Sequence, residues 1–366
     1  MLTPLRTIGI LGGGQLAKML SEAAHTLHFR TLCFEPAQDA CAAAVTKVIQ
    51  GQFDDFAALE SFAKKCDVIT FENENIPLET IRFLQKFCTV YPDEKALNIT
   101  QDRLFEKELF TKLNIPTNQY IAVNSLIALQ TEIAKMGTPC IVKTRRFGYD
   151  GKGQFIIKSP SDATIAWETL GVQPLILESF VKLETEVSMI ATRNTKGKII
   201  YYPLTENYHQ DGILRISQAP YLRPHLEQNA KEYMEKVLSH FDYVGTLAIE
   251  FFVAKDKDQL VANEIAPRVH NSGHWTIEGA VTSQFENHIR AICGLPLGNS
   301  GATGHSAMFN CIGKLPALEQ VLAIPYAHYH CYGKEERALR KVGHVTVVSD
   351  TKAMTRQSLE YLMRIS

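Results

Sequence analysis

Short apolar runs alternate with polar turns and with stretches of helical periodicity along the first hundred residues. Residues 7–11 are continuously apolar and read as a buried strand, Gly12-Gly13-Gly14 as a tight turn, 15–27 as a helix and 30–34 as a second strand, the order of a β-α-β unit. A further buried run at 68–71 ends in Glu72-Asn73-Glu74-Asn75. A helix with proline in its first turn is expected over 77–87, and Val90-Tyr91-Pro92 closes the unit. Residues 103–113 carry the pattern of an amphipathic helix, which Asn114-Ile115-Pro116-Thr117 breaks. Beyond that break, 140–144, 175–180 and 185–192 are expected strands, and 247–253 and 259–265 flank a polar turn at 255–258. The glycine- and proline-rich stretch 295–304 reads as a linker, and 305–366 mixes short strands with basic residues. The pattern predicts an α/β (α+β) protein in three parts: a Rossmann-like β-α-β domain over 1–98, a central domain over 99–294 and a small β-rich domain over 295–366.

Composition narrows the classes. A chain of 366 residues has room for two or three domains with real cores, and 45% hydrophobic with 21% charged residues is globular. A net charge of −1 argues against nucleic acid as a partner. Eight cysteines without Cys-x-x-Cys spacing argue against zinc ribbons and read as reduced core residues. The N-terminal apolar patch is too short for a secretory signal, and nowhere are there 18 continuous apolar residues. A cytoplasmic protein with no membrane partner is expected.

Three features carry candidate chemistry. If 247–253 and 259–265 pair as a symmetric hairpin, Glu250 sits across from Glu264. Two opposed, partly buried carboxylates must hold a proton, recruit basic partners or bind a cation such as magnesium; if the hairpin is exposed, they are simply solvated. The turn Gly12-Gly13-Gly14-Gln15-Leu16-Ala17 fits G-x-G-x-x-A. Its helix N-terminus suits a dinucleotide, another phosphate ligand or no ligand at all, and nothing downstream resembles a hydride-transfer site. The cluster Gly148-Tyr149-Asp150-Gly151-Lys152-Gly153-Gln154, preceded by Lys143, Arg145 and Arg146, lacks Walker A spacing. It reads either as a positive cover over a triphosphate or as a surface turn. Glu178 and Glu186 end or follow an apolar strand and either bond a nucleotide or stay solvated. The segment 266–275 crowds Arg268, His270, Asn271, Ser272 and His274 together, and Lys334, Arg340 and Lys341 form a basic turn that is either solvated or a phosphate clamp.

The segments GILGGGQLAKML, TFENENIP, QDRLFEKELF, IVKTRRFGYDGKGQF, YPLTENYHQDGI, AIEFF, NEIAPRVHNSGHWT and RKVGH occur in that order. Over nearly its whole length the chain thereby resembles the N5-carboxyaminoimidazole ribonucleotide synthetase family, ATP-grasp enzymes of purine biosynthesis. The resemblance implies an ATP-grasp architecture with a mobile lid around 118–182. It assigns Arg103, Lys143, Gly148, Tyr149, Asp150, Gly151, Lys152, Gly153, Gln154, Glu178, Ser179, Phe180, Val181, Glu186, His209, Asn263 and Glu264 to ATP, and Glu250 with Glu264 to magnesium. Aminoimidazole ribonucleotide falls to Gln15, Leu16, Glu74, Tyr149, His270, Asn271, Ser272, Lys334, Arg340 and Lys341. Two departures from the family's usual pattern stand out: Asn73 replaces an aromatic residue, and Ala17-Lys18 replaces Gly-Arg; Ala266 stands where broader ATP-grasp enzymes have asparagine, a feature the family shares.

The implied reaction is ADP-forming carboxylation of the ribonucleotide amine by ATP and bicarbonate through carboxyphosphate. Lys152, Arg268 and His270 are the candidates to hold bicarbonate or carboxyphosphate. Magnesium is the implied cofactor, without NAD or biotin, and a homodimer is expected. A formate-dependent glycinamide ribonucleotide transformylase shares the plan, but NSGHW and FGYDGKGQ speak against it. A regulatory nucleotide binder is disfavoured by the intact Lys143, Glu250 and Glu264.

Overall fold

The computed structural model describes residues 6–148, 151–171, 173–255 and 257–365, so Tyr149 and Asp150, expected at the nucleotide site, lie outside the described residues. Four parallel strands form the N-terminal sheet in the order Lys47–Gln50, Arg30–Glu35, Thr7–Leu11, Val68–Phe71. The continuous apolar runs are explained by burial on both faces, as parallel strands require. Between the first two strands runs the helix Gln15–Thr26, whose Leu16, Ala17, Met19 and Leu20 pack with Phe285, Ile289 and Ile292 of the later helix Gln284–Ile292 and with Tyr332. Ala17, one of the departures, is therefore core; Lys18, its neighbour, donates to the carbonyl of Cys331 at 2.8 Å. Asn98, where the pattern suggested a boundary, lies inside the helix Glu94–Thr100.

A second sheet is antiparallel, in the order Tyr120–Val123, Leu175–Ser179, Cys140–Thr144, Gln154–Ile157. The helices Leu126–Met136 and Asp162–Leu170 cover one of its faces and give it a separate core of Val123, Leu129, Val142, Ile157 and Leu177. The opposite face looks onto the cleft described below.

Among the described residues the third sheet has nine strands, one of which, Ile199–Tyr201, pairs only with Leu183–Arg193. Gln259–Ala266, Gly245–Ala254, Leu183–Arg193, Thr205–Gln210 and Ile213–Ala219 follow one another, and His305–Ile312, Lys341–Ser349 and Ala327–Cys331 continue the same sheet. The stretch 295–304 thus connects strands of one sheet, because His305–Ile312 pairs directly with Ile213–Ala219. The long helix Pro224–His240 fills one face with Leu226, Met234, Val237 and Leu238. The chain ends in a helix the pattern did not suggest, Lys352–Ile365, which buries Leu359 and Leu362 while Tyr361 and Met363 stay exposed and blur its apolar stripe.

Candidate active site

The three sheets enclose a cleft of about 680 Å³. Its walls come from the carboxyl end of the N-terminal sheet, the open face of the second sheet and the hairpin edge of the large sheet, where α/β folds commonly place ligands.

In the hairpin, Glu250 does pair with Glu264, but the symmetric register ends there: a β-bulge sets Phe251 opposite Ala262 and leaves Asn263 as an extra residue. The bulge lets neighbouring Asn263 and Glu264 both line the cleft, which regular alternation forbids. Burial and the charge of Glu264 push the Glu250 carboxyl up to about 7. The same two causes push buried Glu106 up to about 8, although its Oε1 accepts from the backbone N–H of Ile265 at 2.6 Å. Burial and the neighbouring carboxylate thus disfavour the charged forms of Glu250 and Glu106, and a divalent cation is one partner that would favour them. Glu250, Glu264 and Asn263 offer hard oxygen ligands for magnesium that phosphate oxygens would complete. Among the described residues no group of three or more His, Cys, Asp or Glu is arranged to enclose a metal by itself. Ala266 also lines the cleft, without a side-chain oxygen.

Across from the hairpin, Lys143 Nζ donates to Glu178 Oε2 at 2.9 Å, Asn118 Nδ2 donates to the same oxygen at 2.9 Å, and Lys107 Nζ lies 3.9 Å away. Burial opposes charge on Glu178, but the two lysines win and bring its carboxyl down to about 2. Lys107, which the amphipathic pattern of 103–113 does not single out, is fully buried and donates to Asn118 Oδ1 and to the carbonyls of Ala262 and Asn263 at 2.8, 3.2 and 3.0 Å. It ties Asn118, just before the second sheet, to the strand that carries Glu264. Only a tertiary contact reveals it, since a lysine in an amphipathic helix ordinarily faces water.

His270 points its Nε2 toward Glu250 at 3.5 Å. Its Nδ1 lies 2.8 Å from Ser272 Oγ, at the end of a buried chain: Ser217 donates to Asn207 Oδ1, Asn207 Nδ2 to Ser188 Oγ, and Ser188 to Ser272 Oγ, at 2.7, 3.0 and 2.7 Å. With its oxygen already accepting, Ser272 gives its proton to Nδ1, so the hydrogen of the neutral ring sits on Nε2. Burial, Arg268 and Lys341 hold the imidazole well below its ordinary pKa, in agreement. Ser272 itself is wholly buried and does not line the cleft, so its hydroxyl meets His270. His274 turns into the core against Phe285 and His344. His209 pairs with Glu186; burial opposes its charge, but Glu186, Glu250 and Glu264 hold its pKa above the ordinary value.

Of the readings the glycine motif leaves open, the geometry favours the structural one. Glu72 inserts its carboxylate at the start of the helix and accepts from Gly14 N and, at 2.8 Å, from Ala17 N; Glu35 Oε2 accepts from Gly13 N at 2.7 Å. The N–H groups of Gly13, Gly14 and Ala17 are thus satisfied internally. A Cβ on Gly12, where φ is +105°, would lie 2.4 Å from Glu72 Cγ, which explains the glycine. Gln15 and Leu16 still line the cleft. The C-terminal basic turn folds over them: Lys334 Nζ bonds Gln15 Oε1 and Lys341 lines the cleft, whereas Arg340 bonds Asp39 at 3.0 Å and, like Lys334, is outside the lining.

The remaining expected residues are brought together as follows. Arg103, Gly148, Gly151, Lys152, Gln154, Ser179, Phe180 and Val181 line the lid side, with Glu74, Arg268 and Asn271 opposite. Gly153 lies behind the lining, where a Cβ would meet Thr144 Oγ1 at 2.6 Å. Glu74 holds the Arg268 guanidinium by two bonds, one of 2.9 Å from Nη2. Asn73, the departure beside it, accepts from Asn75 N at 2.8 Å and closes the loop.

The ribonucleotide synthetase preATP-grasp domain matches residues 5–101, the ATP-grasp domain 108–285 and the phosphoribosylaminoimidazole carboxylase C-terminal domain 306–358. The chain is 47% identical to a Pseudomonas aeruginosa protein named N5-carboxyaminoimidazole ribonucleotide synthase, over 93% of this chain and 94% of that one. It superposes with a TM-score of 0.94 on the N5-carboxyaminoimidazole ribonucleotide synthetase of Thermus thermophilus, 44% identical, with 98% of both chains covered. An Aspergillus clavatus N5-carboxyaminoimidazole synthase in complex with ADP and 5-aminoimidazole ribonucleotide superposes at 0.91, with 30% identity over 99% of this chain and 98% of that one.

Proposed function

Because the chain belongs to the N5-carboxyaminoimidazole ribonucleotide synthetase family of ATP-grasp ligases, we propose that it carboxylates the exocyclic amine of 5-aminoimidazole ribonucleotide with ATP and bicarbonate. The observation that carries the proposal is a single cleft in which the opposed Glu250 and Glu264, the Lys143–Glu178 pair, and the set Glu74, Arg268, His270 and Lys341 face one another. We assign the first two groups to the nucleotide and its metal, and the third to bicarbonate and the ribonucleotide. Lys334 and Arg340 then position the C-terminal turn, and Ser272 orients His270.

A bicarbonate oxygen bonds the γ-phosphorus as the bond to ADP breaks, giving carboxyphosphate. The amine nitrogen then bonds the carboxyl carbon, the carbon–oxygen bond to phosphate breaks, and the amine proton leaves with the phosphate. Glu250 and Glu264, with Asn263, would hold magnesium, which when bound would supply charge neutralisation on the phosphoryl oxygens. Lys143, anchored by Glu178, and Lys152 add positive charge there without reorganisation. Arg268, oriented by Glu74, holds the carboxyl oxygens, and His270 donates from Nε2 while remaining neutral. Enclosure protects carboxyphosphate from water. The proposal includes a cytoplasmic homodimer, which sedimentation of the purified protein checks for assembly. ADP release should require magnesium and rise strongly with aminoimidazole ribonucleotide plus bicarbonate; an equal response to glycinamide ribonucleotide plus formate would assign the chain to the transformylase reaction instead.

A further inference from the structure

Gln101 lies at the joint between two helices, closing Glu94–Thr100 and preceding Asp102, which caps Arg103–Lys112. Its nearly buried side-chain amide is engaged by two different segments of the cleft wall. Nε2 donates to the backbone carbonyls of Glu74 and Ile76 at 2.8 and 2.7 Å, and Oε1 accepts from Arg146 Nη2 at 2.7 Å. The amide reads only this way, because the carbonyls can only accept and the guanidinium can only donate. No carboxylate or ammonium could make all three bonds.

The next two residues grip the same lid segment. Asp102 accepts from Arg145 Nε and Nη2 at 2.9 and 2.7 Å, and Arg103 donates to the carbonyls of Thr144 and Gly148 at 3.0 and 3.1 Å. Gln101 thus joins the loop that presents Glu74 to the segment that leads into the glycine-rich cover. We infer that Gln101 is a positioning residue that couples the two substrates: ordering of residues 74–76 around the ribonucleotide is transmitted through its amide to Arg146 and tightens the nucleotide site. The inference rests on the assignment of Glu74 to the ribonucleotide and of 144–154 to ATP. The chemistry favours such coupling, since carboxyphosphate formed without a waiting amine is lost to water.

Coupling is a ratio of affinities and is the same read from either ligand. Calorimetry should measure the Kd of magnesium AMP-PNP alone and with saturating aminoimidazole ribonucleotide. The native protein should bind the nucleotide about tenfold more tightly with the ribonucleotide present, within the range usual for coupled sites. In Gln101→Leu the ratio should fall below about twofold, with a smaller change in the affinity for AMP-PNP alone. Arg146→Met, which leaves Gln101 its bonds to residues 74 and 76, should lose the ratio equally and guards against a misfolded first variant. Variants that keep the native ratio, including those that weaken both measurements in parallel, overturn the coupling, as does a native ratio near one; each leaves the functional assignment standing. A native protein that does not bind the ribonucleotide at all overturns the assignment and the coupling together.

Discussion

Glu178 shows how a single residue can serve the fold and the chemistry at once. Its carboxylate compensates Lys143 and Lys107 in a buried setting, so Glu178→Gln leaves two ammonium groups without their counter-charge. A loss of about 3–5 kcal/mol at pH 7 is expected, measured by urea unfolding. The pH dependence has a definite sign. Because the folded pKa is near 2 against an ordinary 4.5, the carboxylate's contribution is present above 4.5 and disappears as pH falls toward 2. The gap between native and variant proteins should therefore narrow at acid pH, and a gap that is constant down to pH 2.5 contradicts the assignment. Glu264→Gln should act oppositely on stability: it relieves repulsion with Glu250 and Glu106, so the melting temperature without magnesium stays the same or rises while ADP release is abolished. Near-normal turnover in that variant would remove Glu264 from the metal. The sequence exposed the opposed acids because they flank a short polar turn. It concealed Lys107 and Glu106, which read as ordinary solvated positions of an amphipathic helix, and Gln101 at the joint before it, because the partners that reveal them include residues far away in the chain.

At the scale of elements, the glycine turn is the instructive case. Its motif matches dinucleotide-binding turns, yet the decisive partner is Glu72, brought from the end of another strand. Gly12→Ala places a methyl carbon against Glu72 and adopts a φ that an L side chain resists, so a loss of about 2–4 kcal/mol in unfolding free energy is expected. NAD should produce no change in melting temperature of the native protein, since Glu72 and Glu35 hold the turn's donors. The C-terminal turn separates its basic residues similarly. Lys341 lines the cleft and Arg340 is held by Asp39. Charge-assisted contacts to phosphate contribute roughly 1.5–3 kcal/mol, so Lys341→Ala should raise the ribonucleotide KM about ten- to a hundredfold with ATP saturating. Arg340→Ala should raise it less; the reverse ranking would place Arg340 on the substrate. Strands with unbroken apolar runs were legible because burial on both faces leaves no alternative. The hairpin bulge was not, since nothing in 259–265 marks where the ladder slips, and the terminal helix was hidden by its exposed apolar residues.

The whole molecule depends on the three sheets closing on one cleft. The alternation of elements announced the N-terminal domain, and long specific segments announced the family, but how the parts meet is written in contacts of large sequence separation. Lys18 reaches Cys331, Lys334 reaches Gln15, and Arg268 reaches Glu74. These place the C-terminal turn and the segment after Gln259–Ala266 over the N-terminal loops, which no local pattern specifies. The arrangement makes one chemical demand: carbon from bicarbonate must reach the ribonucleotide amine, and an oxygen of the same bicarbonate must remain on the phosphate. Bicarbonate labelled with carbon-13 and oxygen-18, supplied with ATP, magnesium and aminoimidazole ribonucleotide, tests this directly when products are read by nuclear magnetic resonance and mass spectrometry. The account predicts carbon-13 in a carbamate on the ribonucleotide and one oxygen-18 in each inorganic phosphate released. Phosphate free of the label, or a ribonucleotide that takes its carbon from formate instead, would contradict it.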